Sequence, residues 1–99
     1  MIRIRRIEIN PNRINVVDIR VGSEVLRVGM SGDGLDCIWI KEDTLNPVRT
    51  STLRCFNTGD EVSDSKELSF LGTYIKGVFE WHLFEVIDPD QVETLAWHI

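Results

Sequence analysis

Up to Ile87, apolar residues recur at every second position in short runs, each closed by Gly, Pro, Asn or Asp. This is the period-two signature of half-buried β-strands rather than of helices. Ile2 and Ile4, then Ile7 and Ile9, form two alternating pairs whose phase changes at Arg5-Arg6. Such a shift predicts a strand carrying a β-bulge, because one inserted residue reverses the facing side chains. Asn10-Pro11-Asn12 reads as a turn, Ile14 to Val21 as strand, Gly22-Ser23 as a break and Val25 to Met30 as strand again. Ser31-Gly32-Asp33-Gly34 is the strongest hairpin signal, since Gly and Asp accept the positive φ of tight turns. It leads into Leu35 to Lys41, where Leu35, Cys37 and Trp39 share one face and Ile38 and Ile40 the other. A strand apolar on both faces is expected to be central and covered from two sides.

A polar turn around Asn46-Pro47 precedes Thr50 to Phe56, and Asn57-Thr58-Gly59-Asp60 stops that strand. After a polar loop over Asp60 to Glu67, Leu68 to Ile75 and Val78 to Ile87 form a final pair turned by Lys76-Gly77. The end of the chain changes period. Asp88-Pro89-Asp90-Gln91 supplies an N-cap acid, a Pro at the first helical position and a capping-box Gln. Val92, Leu95, Ala96 and Ile99 follow at helical spacing. The pattern therefore predicts a mainly β domain, a small antiparallel barrel or sandwich of about seven strands with a short C-terminal helix. One domain over residues 1–99 is expected, with a β core over 2–87 and a helix or tail over 88–99.

The composition agrees with a single globular domain: 99 residues, 42% hydrophobic and 27% charged. No apolar run approaches the roughly 18–20 residues that span a bilayer, and no continuous hydrophobic stretch follows the N-terminal charges. Cytoplasmic location is the resulting expectation. Cys37 and Cys55 are too few for the disulfide framework of a small secreted chain, so both are read as buried free thiols. The net charge of −5 is uneven: residues 1–30 carry six basic side chains against three acidic, and residues 31–99 five against thirteen. The acidic total argues against nucleic acid as partner, since phosphate contacts demand a concentrated basic excess.

His82 is the residue most open to chemistry. It shares a strand face with Glu80 and Phe84, so it is either a general base oriented by a carboxylate or a half-buried ring hydrogen-bonded to its neighbours. No Ser or Cys stands in a nucleophile motif that would complete a catalytic set. Asn57-Thr58-Gly59 and Gly72-Thr73 form a second constellation. If the two segments adjoin, their amides and hydroxyls line a small anion or nucleotide pocket together with His82; the plainer reading is one turn glycine and one bulge glycine. Asp60, Glu61, Asp64 and Glu67 lack calcium-loop spacing, and no metal or cofactor is expected. Trp39 and Trp81 read as core anchors. Trp97, near the chain end, either finds a partner surface or is exposed.

Several segments taken together resemble a family of small uncharacterised bacteriophage proteins. Phe70-Leu71-Gly72-Thr73-Tyr74 with Phe79-Glu80-Trp81-His82-Leu83-Phe84-Glu85 is similar to that family's C-terminal signature, an aromatic-x-Gly-Thr-aromatic strand before Trp-His-Val-Phe-Glu. Cys37-Ile38-Trp39 resembles its Cys-Leu-Trp strand, and Cys55-Phe56-Asn57-Thr58-Gly59 its Gly-Thr-Gly segment, with Asn57 where the family has Gly. Val25-Leu26-Arg27-Val28 after Gly22-Ser23 is similar to the strand that follows its Gly-Ala turn. The resemblance implies a phage or prophage setting and a compact β domain, without an established activity. The expected function is thus a non-enzymatic accessory or host-interaction module that binds a host or phage protein, or a small ligand, through its β surface. Two alternatives stand beside it: a small enzyme acting on a nucleotide-like substrate around His82, and an acidic mimic of nucleic acid directed at host defence. Self-association as a homodimer is expected from its β edges.

Overall fold

In the computed structural model, which describes residues 1–62 and 67–87, seven antiparallel strands form two sheets. They are β1 (Ile2–Glu8), β2 (Asn15–Arg20), β3 (Glu24–Met30), β4 (Asp36–Asp43), β5 (Val48–Asn57), β6 (Glu67–Lys76) and β7 (Phe79–Ile87). One sheet has the order β1-β4-β3 and the other β2-β5-β7-β6. The mainly β expectation is therefore met. The two sheets do not close into a barrel among the described residues, which leaves four edge strands. The expected helix over 88–99, with Trp97, lies outside the described residues, as does part of the acidic loop.

The turn chemistry read from the sequence supplies the connections. Gly22, Gly34, Gly59 and Gly77 all take positive φ, where an L side chain is strained. Gly34 and Gly77 close the β3–β4 and β6–β7 hairpins. In the first, the Ser31 amide donates to the Leu35 carbonyl at 2.8 Å and the Gly34 amide to the Ser31 carbonyl at 3.0 Å.

The expected bulge at Arg5-Arg6 is corrected. β1 pairs with β4 in unbroken register from Ile2↔Asp43 to Glu8↔Cys37. The phase change has another cause. On the inward face, Arg3 and Arg5 precede Ile7 and Ile9, and they are held there by Glu42, whose side chain is fully buried. Arg3 Nε donates to Glu42 Oε2 at 2.6 Å, and Arg5 Nε lies 3.7 Å from Oε1. Ile2 and Ile4 consequently face out, at 60% and 67% exposure. The bulges sit instead between Val25 and Arg27 in β3 and between Phe70 and Gly72 in β6. Each admits one extra residue, Leu26 or Leu71, so the strand keeps its apolar face inward after the insertion.

The core lies between the sheets, with Ile38, Ile40 and Val28 on one side and Ile19, Leu53, Cys55, Tyr74, Trp81 and Leu83 on the other. At Gly72 the sheets approach so closely that a Cβ would stand 2.7 Å from Val28 Cγ2. Trp81 is the expected core anchor. Trp39 is not: it lies half-buried on the outward face of β4, under the Arg27 guanidinium at 4.9 Å from the ring centroid. β4 is central, as expected, and among the described residues its outward face carries Trp39 beneath the Arg27 side chain of the neighbouring β3.

Polar groups are also enclosed. Asp36 of β4 accepts from Tyr74 Oη at 2.7 Å and Lys76 Nζ at 2.9 Å, tying the two sheets together. Within the four-stranded sheet, Glu85 Oε2 accepts from Arg49 at 2.7 Å and from Ser51 Oγ at 2.6 Å, both inside the sandwich.

Cys37 and Cys55 are buried and free. Burial, then the nearby Asp36 carboxylate, pushes the Cys55 thiol up to about 12 from its ordinary 9.0, against a hydrogen bond from Tyr74 that lowers it. The Tyr74 hydroxyl is pushed upward too, first by burial. A group whose pKa rises on folding stabilises the native state below its unfolded value and stops doing so as pH passes through the folded value. Thermal stability should therefore be flat near neutrality, indifferent to reducing agent, and fall from about pH 9 towards pH 12. A Cys55→Val variant with an undiminished alkaline slope, or a melting point lowered by reductant at pH 7, would contradict this assignment.

Candidate functional site

The outward face of the β2-β5-β7-β6 sheet brings together three of the residues singled out in the sequence. Thr73 and His82 are direct cross-strand partners on β6 and β7, and Phe56 of β5 is paired to His82 from the other side. The turn after β5 completes the group. The Thr58 amide donates to the Glu80 carbonyl at 3.0 Å, extending the β5–β7 ladder by one residue, and the Glu80 amide donates to Asn57 Oδ1 at 3.1 Å. Asp60 closes the turn by accepting the Asn57 amide at 2.8 Å. Gly59, at φ +96°, supplies the reversal.

Both imidazole nitrogens are engaged as a result. His82 Nε2 lies 2.7 Å from Thr58 Oγ1, and Nδ1 lies 2.8 Å from Thr73 Oγ1. Thr58 Oγ1 donates in turn to Glu80 Oε1 at 2.5 Å. Because that hydroxyl proton is committed to the carboxylate, Thr58 accepts from Nε2–H, and in neutral His82 Nδ1 accepts from Thr73. The polar chain thus runs Thr73 to His82 to Thr58 to Glu80. Beside it stands an aromatic row: Phe84 meets Phe56 at 5.8 Å and Phe70 at 5.5 Å, both edge to face, and Phe70 is 55% exposed.

Gly72 does not join this group. It faces the interior against Val28, so the closeness its missing side chain permits is between the two sheets, not between backbone and ligand. Asn57 acts through its turn hydrogen bonds. Of the predicted constellation, Thr58, Thr73 and His82 converge, while Asn57 and Gly59 shape the loop that delivers Thr58. No group of three His, Cys, Asp or Glu able to hold a metal occurs among the described residues, and none of their helices is long and apolar enough to cross a membrane.

A second region was not legible from motifs. β2 has six residues against ten in β5, and their pairing ends at Asn15↔Leu53. Beyond that point the chain leaves β5 through the Pro11–Ile14 turn, so Arg54 to Asn57 have no β2 partner on that side. A cavity of about 410 Å³ opens there, lined in part by Asn12, Arg13, Arg54, Cys55, Asp60 and Trp81. A neighbouring cavity of about 400 Å³ shares Pro11, Asn12 and Trp81 with it and adds Lys76, Gly77, Val78 and Phe79. The turn signal Asn10-Pro11-Asn12 marks the loop in the sequence, but its apposition to Arg54 and Phe79 depends on strand lengths in different parts of the chain.

No curated protein and no solved structure matches the chain. A family model described as a domain of unknown function (DUF7352) matches residues 1–99, and the chain belongs to that family.

Proposed function

We propose that this domain is a non-enzymatic binding module of a phage or prophage, acting inside the bacterial host cell on a host or phage protein or a small ligand. Its recognition surface is the outward face of the four-stranded sheet around His82. The observation that carries this reading is the engagement of both imidazole nitrogens by threonine hydroxyls next to an exposed phenylalanine. A general base needs a lone pair directed at substrate, whereas this ring is fixed as a rigid polar element within an aromatic row. That arrangement suits a recognition hot spot, where an aromatic anchor sits beside oriented hydrogen-bonding groups. The thiols support the same reading over the enzyme alternative, because Cys37 is buried and burial holds the Cys55 thiol in its neutral, unreactive form.

Tagged protein purified from infected or lysogenic cells, compared with Phe70→Ser and His82→Ala variants of equal melting temperature, tests the proposal. A specific companion should be retained by the parent and reduced at least about tenfold by either variant, the size of effect expected of a hot-spot truncation. A companion held equally by all three would place the surface elsewhere, and release of a chemically altered nucleotide would favour the enzyme. Light scattering of the same preparations reads the proposed homodimer: a one-chain mass throughout a dilution series would exclude it.

A further inference from the structure

The cavity beside the unpaired end of β5 has a chemistry of its own, although one residue of its lining, Arg54, leans over Phe56 on the His82 face. Arg13 and Arg54 both line it. Among the described residues neither guanidinium lies within 4.0 Å of a carboxylate; Arg54 is placed over the Phe56 ring at 4.8 Å. Asp60, the acidic residue of the lining, is turned to its own loop, where it accepts the Asn57 amide. In a chain of net charge −5, two arginines at one cavity with no carboxylate partner among the described residues make a local positive site. The adjoining cavity is of the opposite kind. Phe79 stacks on Trp81 at 5.7 Å and 24° and is itself 47% exposed, with Val78 beside it. The two cavities meet at Pro11, Asn12 and Trp81.

We propose that this paired cavity binds a small aromatic anion, its ring against Phe79 and Val78 and its carboxylate or phosphate monoester between Arg13 and Arg54. Guanidinium groups match planar or tetrahedral oxyanions with two parallel N–H donors each, and they are more weakly hydrated than ammonium, so they surrender water readily to such a ligand. The ring contributes area that an inorganic ion lacks, and the free face of Phe79 accepts it in an offset stack. Each cavity lies in the size range of sites for small organic ligands. The Cys55 thiol at the wall is held neutral by burial and adds no opposing charge.

Titration of the full chain, followed by amide and indole NMR shifts, tests the site with phenyl phosphate, benzoate, benzyl alcohol and inorganic phosphate. Phenyl phosphate or benzoate should move Asn12, Arg13, Arg54 and the Trp81 indole, and which of the two binds tighter identifies the anion class. Benzyl alcohol, lacking charge, and inorganic phosphate, lacking the ring, should each bind at least about tenfold more weakly, the loss expected for one good charged or stacked contact. Arg13→Gln and Arg54→Gln should each weaken the aromatic anion about five- to tenfold. Phe79→Ser should weaken the aromatic anion while leaving inorganic phosphate unchanged. These residues are exposed, so the variants should keep the parent melting temperature. Phe70→Ser, on the His82 face, should leave every titration unaltered, which separates this proposal from the preceding one. Absence of shifts at millimolar ligand, or an affinity unchanged in the Arg13→Gln, Arg54→Gln double variant, would overturn it.

Discussion

Replacing Trp81 with Ala should cost about 3–5 kcal/mol of stability, the largest loss expected from any single apolar truncation in this domain. Trp81 is only 9% exposed and belongs to the central cluster with Tyr74, Leu83 and Cys55. On β7 it stands opposite Tyr74 of β6 and Asn57 of β5, and the Phe79 ring stacks against its indole. Removing the indole would therefore strip contacts from the core cluster and open the adjoining cavities inward, while the neighbouring groups are fixed in strands and cannot close over the gap. Trp39 provides the internal comparison. It lies half-buried under Arg27 on an outward face, so its truncation should cost only roughly 1–2 kcal/mol, the transfer of part of its surface without a closed cavity. Urea denaturation of both variants reads the difference. Equal losses would show that Trp39 is covered as deeply as Trp81.

The second large effect concerns charge. Arg49→Met should cost about 3–5 kcal/mol, and Glu85→Leu a similar amount, because each removes one member of a buried ion pair. Both side chains are enclosed, at 7% and 3% exposure. In the Arg49→Met protein the Glu85 carboxylate keeps the Ser51 hydroxyl, which donates at 2.6 Å, but loses its cation. One hydroxyl does not offset the desolvation of a full charge. The double variant Arg49→Met, Glu85→Leu should recover most of the loss, since the Glu85 carboxylate is then no longer buried without its guanidinium and the new side chains add apolar contact. A complete double-mutant cycle by chemical denaturation measures the coupling. Single variants that each cost below about 1 kcal/mol, or a double variant whose loss equals the sum of the two, would refute a strongly coupled pair.

The same inner-face charges explain where reading the sequence failed. Alternation at Ile2, Ile4, Ile7 and Ile9 is a periodicity signal, and periodicity assumes that the inward face is apolar. In β1 it is not: Arg3 and Arg5 point inward to Glu42, and a carboxylate thirty-odd positions along the chain cannot register in a local pattern. The bulges that do exist, at Leu26 and Leu71, are disguised because the extra residue is itself apolar and follows another apolar residue, Val25 or Phe70, so no change of residue type marks the slip. Trp39 departs from its expected place in the core for a related reason. Its neighbours Cys37 and Lys41 do not reveal whether a second layer covers that face. Of the candidate site, Thr58, Thr73 and His82 were legible because a hydroxyl beside a turn glycine, a hydroxyl after a bulge glycine and an isolated histidine are each unusual in a strand-rich chain. Arg13 and Arg54 were not, since either is ordinary as a surface residue.

By itself the sequence determined the local structure: seven strands with nearly correct ends, the turns at Gly22, Gly34, Gly59 and Gly77, and the free thiols. Those features follow from side-chain period, from φ restrictions and from cysteine number, all of which act over a few residues. Only the tertiary structure decided that the sheets order as β1-β4-β3 and β2-β5-β7-β6, that the Asp36, Glu42 and Glu85 carboxylates are buried against basic partners, and that β2 stops short of β5 to open the arginine-lined cavity. Each of these depends on pairing between distant segments. Its free energy is the desolvation, packing and ion-pair balance of the assembled sandwich, which no single segment carries.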